Sequence, residues 1–262
     1  MQRGVPLNCG MAENLLGTDA AALKRGFLPA PESPEAWPEW RRELTAWAEA
    51  ERSRLGPPVR DLEAQSWAAS AFGLCKLMLW DHELIDHATR QWKVGRVLHR
   101  LQREFGGADL VILWNNYPVA GLDDRDQLAL FDALPGGREG LREAVAEFHR
   151  GGVRVLGAHK PWMDRIPSGF SSVEEALVEL VNSCGLDGIF LDCSDGPTDS
   201  FRELLRDRAG VGKSLVSEGP ARLDPFGHEA GSWQQMTDDS ITPGTYLTRW
   251  LDRTHLVYES RR

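Results

Sequence analysis

Cysteine, lysine, tyrosine and long apolar runs are all scarce in this chain. The four cysteines among 262 residues (Cys9, Cys75, Cys184 and Cys193) form no CxxC pair and no short-spaced cluster. A disulfide framework or zinc site is therefore not expected, and a reducing, cytoplasmic setting is the default. No HxH or HExxH spacing is present, so no metal or other cofactor is expected. No apolar stretch approaches the ~18–20 residues that span a bilayer. The first ten residues have no apolar core of a secretory signal. Thirty basic against thirty-nine acidic side chains leave a formal charge of −9, which argues against nucleic acid as the partner. No GxGxxG or GxxxxGK[ST] occurs, which removes the usual dinucleotide and P-loop readings. Ten tryptophans against three tyrosines are the compositional oddity. Tryptophan suits sugar stacking, although core packing is its commoner use.

The apolar pattern divides the chain near residue 58. Before it, Pro29, Pro31, Pro34 and Pro38 break up the segment, and Trp40, Leu44, Trp47 and Ala48 then form one helical stripe. Residues 1–58 read as an N-terminal helical extension, and 59–262 as a (β/α) barrel-like domain. Short apolar runs at Leu74–Leu79, Leu110–Trp114, Val153–Ala158, Gly188–Leu191 and around Leu215-Val216 read as strands. Amphipathic helices alternate with them, one opened by the capping box Ser172-Val173-Glu174-Glu175. Paired glycines, Gly106-Gly107 and Gly151-Gly152, end two of the helices. This alternation predicts an α/β fold with a parallel sheet, a TIM-type barrel before a doubly wound sheet. Five βα units fall short of the eight of a closed barrel, so the barrel is expected to be incomplete. Trp233–Arg262 reads as a helical connection awaiting more strands, with Leu256-Val257-Tyr258 as the next strand signal.

Polar residues gather after the strands, where barrel active sites lie. Trp114 is followed by Asn115, Asn116 and Tyr117, and the next strand runs into His159, Lys160 and Trp162. The two strands after that lead into Asp192 and Glu218. Neighbouring parallel strands are ~4.8 Å apart, so these two carboxyls can stand about 5–7 Å from each other. Retaining glycosidases use about that separation for a nucleophile and a proton donor. Helix capping or pairing with arginine is the plainer reading of either carboxyl. Asp195, next to Gly196-Pro197, reads first as a turn or cap residue and otherwise competes with Asp192. Asp187 precedes its strand and belongs to the opposite, stabilising face. Asn115, Asn116, Tyr117 and His159 are candidate sugar hydrogen-bonding groups, and Trp80, Trp114 and Trp162 candidate stacking surfaces, at least one of them core. Lys160 stands out in a chain with five lysines and twenty-five arginines. A Schiff-base role would need it desolvated. His159, Asp192 and Glu218 would form a facial metal triad only if they met.

The stretches Asp109–Trp114 with Tyr117-Pro118 and Gly121–Gln127, Phe148–Val155 through Pro161-Trp162, and Asp187–Asp192 resemble a bacterial group of glycoside-hydrolase-like barrel proteins. The resemblance covers about residues 65–260. At the level of the superfamily it is similar to the α-amylase and α-N-acetylgalactosaminidase type of barrel. It implies Asp192 on the fourth strand as nucleophile and Glu218 on the fifth as acid/base. It also implies a third carboxylate on a later strand, for which Asp238 and Asp239 are the candidates.

The resulting expectation is a carbohydrate-active barrel that cleaves an O-glycosidic bond in a glycoside or oligosaccharide. A non-catalytic sugar-binding or degenerate barrel is the first alternative. A Schiff-base lyase using Lys160 is the second.

Overall fold

The structure is a computed structural model that describes residues 27–115, 126–161, 165–194, 196–218, 227–236 and 244–261. Its centre is a sheet of seven parallel strands. In chain order these are β2 (Leu74–Met78), β5 (Leu110–Trp114), β6 (Arg154–His159), β7 (Gly188–Leu191), β8 (Ser214–Glu218), β9 (Gly231–Met236) and β11 (Leu256–Arg261). Their order across the sheet is the same as their order along the chain. A doubly wound sheet reverses direction at a switch point, and this one never does, which is the winding of a barrel. β2 and β11 are the outermost strands, with no ladder between them among the described residues.

Winding in one sense places the crossover helices on one face. These are α2 (Val94–Phe105), α4 (Gly137–Arg150), α5 (Val173–Cys184) and α6 (Asp199–Ala209). Alternate strand residues Leu77, Val111, Leu113, Val155, Ile189, Leu191 and Leu215 pack beneath them in the larger core. The intervening residues Leu110, Ile112, Trp114, Leu156, Ala158, Phe190 and Val216 form a second core on the other face, with Leu256 at one edge and Leu74 at the other. Such a two-faced sheet explains why the strands read as continuous apolar runs. Among the described residues no crossover α-helix covers the inner face, and the sheet curls onto itself. Lys76 Nζ of β2 lies 5.2 Å from the Trp233 ring of β9. Five strand spacings of ~4.8 Å would separate the two strands in a flat sheet. Ala68 and Ala71 help fill the same interior.

Local signals hold where they concern caps and strand ends. Ser172 Oγ accepts from the Glu175 N–H at 3.2 Å, as the capping box predicts. The Glu175 carboxylate reaches back to the Ser171 N–H rather than to that of Ser172. Asp187 accepts from the Val155 N–H at 2.8 Å and from Arg154 Nη1 at 3.2 Å, locking the starts of β6 and β7 together.

The region after Glu218 departs from expectation. The strand β9 begins the segment expected to be a helical connection, whereas β11 starts at the strand signal Leu256-Val257-Tyr258. The β9 sequence Gly-Ser-Trp-Gln-Gln-Met has no β-branched apolar residue and reads as polar. It is a strand because it can complete the ladder beside β8. Between them lie β10 (Gly244–Tyr246) and α7 (Leu247–Leu251).

The N-terminal stripe finds its partner in that same region. β1 (Phe27–Pro29) pairs antiparallel with β10. In α1 (Trp37–Leu55), Leu44, Trp47 and Ala48 bury against Leu247 and Leu251 of α7, with Trp40 alongside. Arg52 donates to the carbonyls of Trp250 and Leu251, which are terminal α7 groups without helical partners. The predicted helix thus packs on a segment about two hundred residues later in the chain.

Candidate active site

Strand alternation decides which side chains enter the barrel mouth. On each strand every second residue points inward, which selects Trp114, Lys160, Asp192 and Glu218 at the C-terminal ends and Lys76 and Trp233 within β2 and β9. Leu191 pairs with Ser217, so the residues one step on, Asp192 and Glu218, stand side by side. The Asp192 N–H donates to His159 O at 2.9 Å, extending the β6–β7 ladder by one bond.

Carboxyl oxygens of Asp192 and Glu218 lie within 4.8 Å of each other, close enough for each group to shift the other's titration. Asp192 is 3% exposed. Burial first, then the hydrogen bond and charge of Glu218, push its acid up to about 7, against the opposing pull of Lys160 and Lys76. Burial acts on Glu218 in the same direction but is outweighed. The bond from Asp192, the Cys193 N–H and the Lys76 charge hold Glu218 below the usual range. Cys193 N donates to Glu218 Oε2 at 3.2 Å. That donor is aimed by a left-handed backbone at Cys193, φ 43°, an uncommon conformation for a residue with a side chain. The two shifts run in opposite directions and favour the proton on Asp192 and the charge on Glu218.

Two lysines complete the cluster. Lys160 is fully buried, and its ammonium lies 3.9 Å from Asp192 Oδ2 and 4.1 Å from the centre of the Trp114 ring. Burial is the largest influence on this amine and brings it down to about 8. Lys76 Nζ sits 3.2 Å above the Trp114 ring, and burial lowers this amine too, against the charges of Glu218 and Asp192. Both cations are held by the face of one indole, the geometry of a cation–π contact.

Lys160 is positioned by Gln127, a buried residue. The Gln127 side chain accepts from Lys160 N at 2.9 Å and donates to Lys160 O at 3.0 Å. Asn115 Nδ2 in turn donates to Gln127 O at 3.0 Å. The primary amide thus stands in for a neighbouring strand just beyond the end of β6. Gln127→Ala is expected to lower stability by about 1–3 kcal/mol, because two buried backbone groups lose their partner. It should also make Lys160 react faster with an amine reagent. An unchanged urea midpoint together with unchanged Lys160 labelling would contradict this role.

The candidates from the sequence divide as follows. Asp192, Glu218, Lys160 and Trp114 meet in the mouth. Trp114 is not an open sugar platform, however, because it is 1% exposed and the two lysines lie over its ring. Trp80 lies in the turn after β2, where strand alternation no longer applies, and packs against the helix-side core beside His87, with ring centroids 6.1 Å apart. Asn115 points outward and is spent on Gln127. His159 also points outward, into a pocket walled by Glu174, Leu177, Leu191 and Phe201, so the triad His159–Asp192–Glu218 does not assemble. The ligand atoms that do cluster, within 4.8 Å of one another, belong to Asp192, Cys193 and Glu218. The ammonium of Lys160 already supplies a positive charge beside them. Asn116, Tyr117, Trp162, Asp195, Asp238 and Asp239 lie outside the described residues.

Sequence reading missed Lys76, Gln127 and Trp233. Lys76 carried a signal, as a lone lysine at an inward position of an apolar strand, between Leu74 and Met78. Gln127 and Trp233 carried none, since their roles come from neighbours distant in sequence.

A further buried histidine makes stability depend on pH. His255 Nε2 lies 3.1 Å from Ser232 Oγ, and burial first of all brings its pKa down to about 4. Below pH 6.5 the unfolded chain takes up a proton that the folded chain refuses. Stability from this group is therefore full above 6.5 and is lost as pH falls toward 4, by about 3 kcal/mol. Asp192 contributes with the opposite sign over a similar range, so the comparison is made against a His255→Gln variant. Urea midpoints of the wild type should fall relative to the variant between pH 7 and 4.5, whereas parallel midpoints would refute the assignment.

No family model matches the chain, and no curated protein matches it. Solved structures similar to it include α-amylases, a debranching enzyme, a cycloalternan-degrading enzyme and a chitinase-like protein, all at low identity. A maltogenic α-amylase, AmyB from Thermotoga neapolitana, is 15% identical with a TM-score of 0.41, over 62% of this chain and 48% of that one. A debranching enzyme from Nostoc punctiforme is 14% identical with a TM-score of 0.43, over 64% of this chain and 52% of that one. A cycloalternan-degrading enzyme from Trueperella pyogenes is 12% identical with a TM-score of 0.43, over 83% of this chain and 41% of that one. The chain spans about half the length of the solved structures that it matches.

Proposed function

We propose that this protein is carbohydrate-active and cleaves an O-glycosidic bond with the carboxyl pair Asp192 and Glu218. The observation that carries the reading is the side-by-side placing of two strand-end carboxyls, with oxygens within 4.8 Å of each other, inside the curl of the sheet. Retaining glycosidases need one carboxyl as acid and one as carboxylate, about 5–5.5 Å apart across the bond. An inverting pair stands wider, leaving room for a water between carboxyl and sugar.

The resting charges favour Glu218 as nucleophile and Asp192 as proton donor, the reverse of the order that the sequence resemblance implies. In the first step the Glu218 carboxylate bonds to the anomeric carbon as the bond to the leaving oxygen breaks. That oxygen takes the Asp192 proton. In the second step the Asp192 carboxylate accepts a proton from water, the water oxygen bonds to the anomeric carbon, and Glu218 is released. Lys160, 3.9 Å from Asp192, compensates the negative charge on the pair throughout.

The reading is tested by thermal unfolding with a panel of mono- and oligosaccharides, followed by turnover of activated aryl glycosides. A saccharide class that raises the midpoint, joined to release of the aryl group with retained configuration, is the expected result. Binding without release would leave a sugar-binding barrel. No response to any saccharide would overturn the proposal.

A second reading is favoured by Lys160, whose amine is buried between Trp114 and Asp192 and lowered to about 8. Such an amine suits imine formation with a carbonyl substrate, releasing one water. Borohydride trapping with pyruvate and with a ketose phosphate would attach label at Lys160 if this reading holds. An unlabelled lysine rejects it.

A further inference from the structure

We propose that the saccharide taken at this site carries a carboxylate, as a hexuronic acid does, which Lys76 receives over the face of Trp114. The inference rests on the glycoside reading and names the substrate class of that same site.

Its first support is the placement of Lys76. The residue points inward from the edge strand β2, on the far side of the mouth from β7 and β8. Its ammonium is close enough to Asp192 and Glu218 for its charge to act on both. Yet no carboxylate lies within 4.0 Å of it among the described residues, whereas Lys160 has Asp192 at 3.9 Å. The ammonium rests on the Trp114 ring at 3.2 Å, with the Trp233 ring at 5.2 Å. Two indoles thus hold a cation without neutralising it.

The second support is the charge count in the mouth. Burial and the nearby Glu218 raise the Asp192 acid to about 7 while Glu218 is held low, so at pH 6 the pair brings one negative charge. Lys76 and Lys160 bring two positive charges. Lys160, at 3.9 Å, is the ammonium placed against Asp192, and Cys193 beside the pair is a neutral thiol raised by burial, so neither gives Lys76 a close anionic partner. A neutral sugar would displace the water around Lys76 and leave that ammonium desolvated without a partner, which is unfavourable. A sugar carboxylate displaces the same water and supplies the missing charge, with a charge-assisted hydrogen bond to the ammonium.

The test uses the full chain at fixed ionic strength and pH 6. Thermal midpoints are measured with galacturonate and glucuronate, with galactose and glucose, and with acetate as a plain anion. The uronates should bind at least tenfold more tightly than their neutral parents, acetate should have little effect, and added salt should weaken the preference. Lys76→Gln should abolish the preference, and Lys76→Arg should keep part of it. Neutral sugars binding as tightly as uronates, or a preference that survives Lys76→Gln, would overturn the inference. Acetate acting like the uronates would also overturn it, by reducing the site to a general anion site. Hydrolysis of neutral aryl glycosides with no uronate preference would remove this inference and leave the glycoside reading standing. A chain that answers to no saccharide removes both. The wild-type comparison decides the matter even if a Lys76 variant does not fold.

Discussion

Asp192→Asn is expected to lower aryl-glycoside turnover by about 10³-fold or more while leaving saccharide binding within a few fold, because the amide keeps the shape of the site without its transferable proton. Glu218→Gln should match it in size, since each step of a double displacement needs both carboxyls. The two losses are separated by their rescue. Azide added to the variant without a nucleophile should restore turnover and give a glycosyl azide of inverted configuration. Azide added to the variant without the acid/base should give the retained one, with an activated leaving group. The resting charges place inversion with Glu218→Ala and retention with Asp192→Ala. The opposite pairing would restore the order implied by the resemblance. Both outcomes keep the carboxyl pair as the centre of the reaction, whereas full activity in either variant removes that residue from it. The alkaline limb of activity should lie near pH 7, where Asp192 loses the proton it must donate.

Asp252→Ala is expected to cost about 3–5 kcal/mol of stability, through a contact remote from the mouth. Arg60 and Asp252 are both buried, with Arg60 Nη2 at 2.5 Å from Asp252 Oδ2 and also from Thr254 Oγ1. Burial alone would raise the Asp252 acid, but the bonds from Thr254 and the Arg60 charge outweigh it and hold the group ionised. The Arg60 N–H also donates to Gly227 O, so this one residue ties the segment before the barrel to the approaches of β9 and β11. Removing the carboxylate strands a guanidinium in the interior. Urea unfolding gives the size of the loss. The double variant Arg60→Met, Asp252→Leu should recover most of it, because an apolar pair of similar volume needs no charge compensation. A single variant with a wild-type midpoint would show that water reaches Arg60.

The elements legible in the sequence were those whose burial is decided by near neighbours. Leu110–Trp114 and Gly188–Leu191 announced themselves because both faces of each strand are buried. The stripes of α2, α4 and α5 were readable because a helix against a sheet shows one apolar face. The stripe of α1 was equally plain, but its partner α7 was not, being five residues long. β9 stayed hidden because its pairing comes from the ladder with β8 and β11, and its residues have little strand preference of their own.

The carboxyl pair followed from counting. Asp192 and Glu218 each come one step after a readable run, and parallel pairing in register puts them side by side. Their inequality did not follow from counting. It depends on which carboxyl is the more deeply buried, on a left-handed turn at Cys193 that aims an N–H at Glu218, and on a lysine from the far edge of the sheet. Tryptophan content suggested stacking surfaces, yet Trp114 supports two ammonium groups and Trp80 packs on the outer side.

The order of residues by itself determined a parallel α/β sheet and the placing of Asp192, Lys160 and Glu218 at its C-terminal ends, because local periodicity and chain direction suffice for both. Tertiary structure alone decided that the sheet curls far enough for Lys76 of β2 to reach the tryptophan of β9, and that burial raises the acid of Asp192 above that of Glu218. Charge state and desolvation are set by everything that surrounds a group in space, and most of those neighbours lie dozens of residues away along the chain.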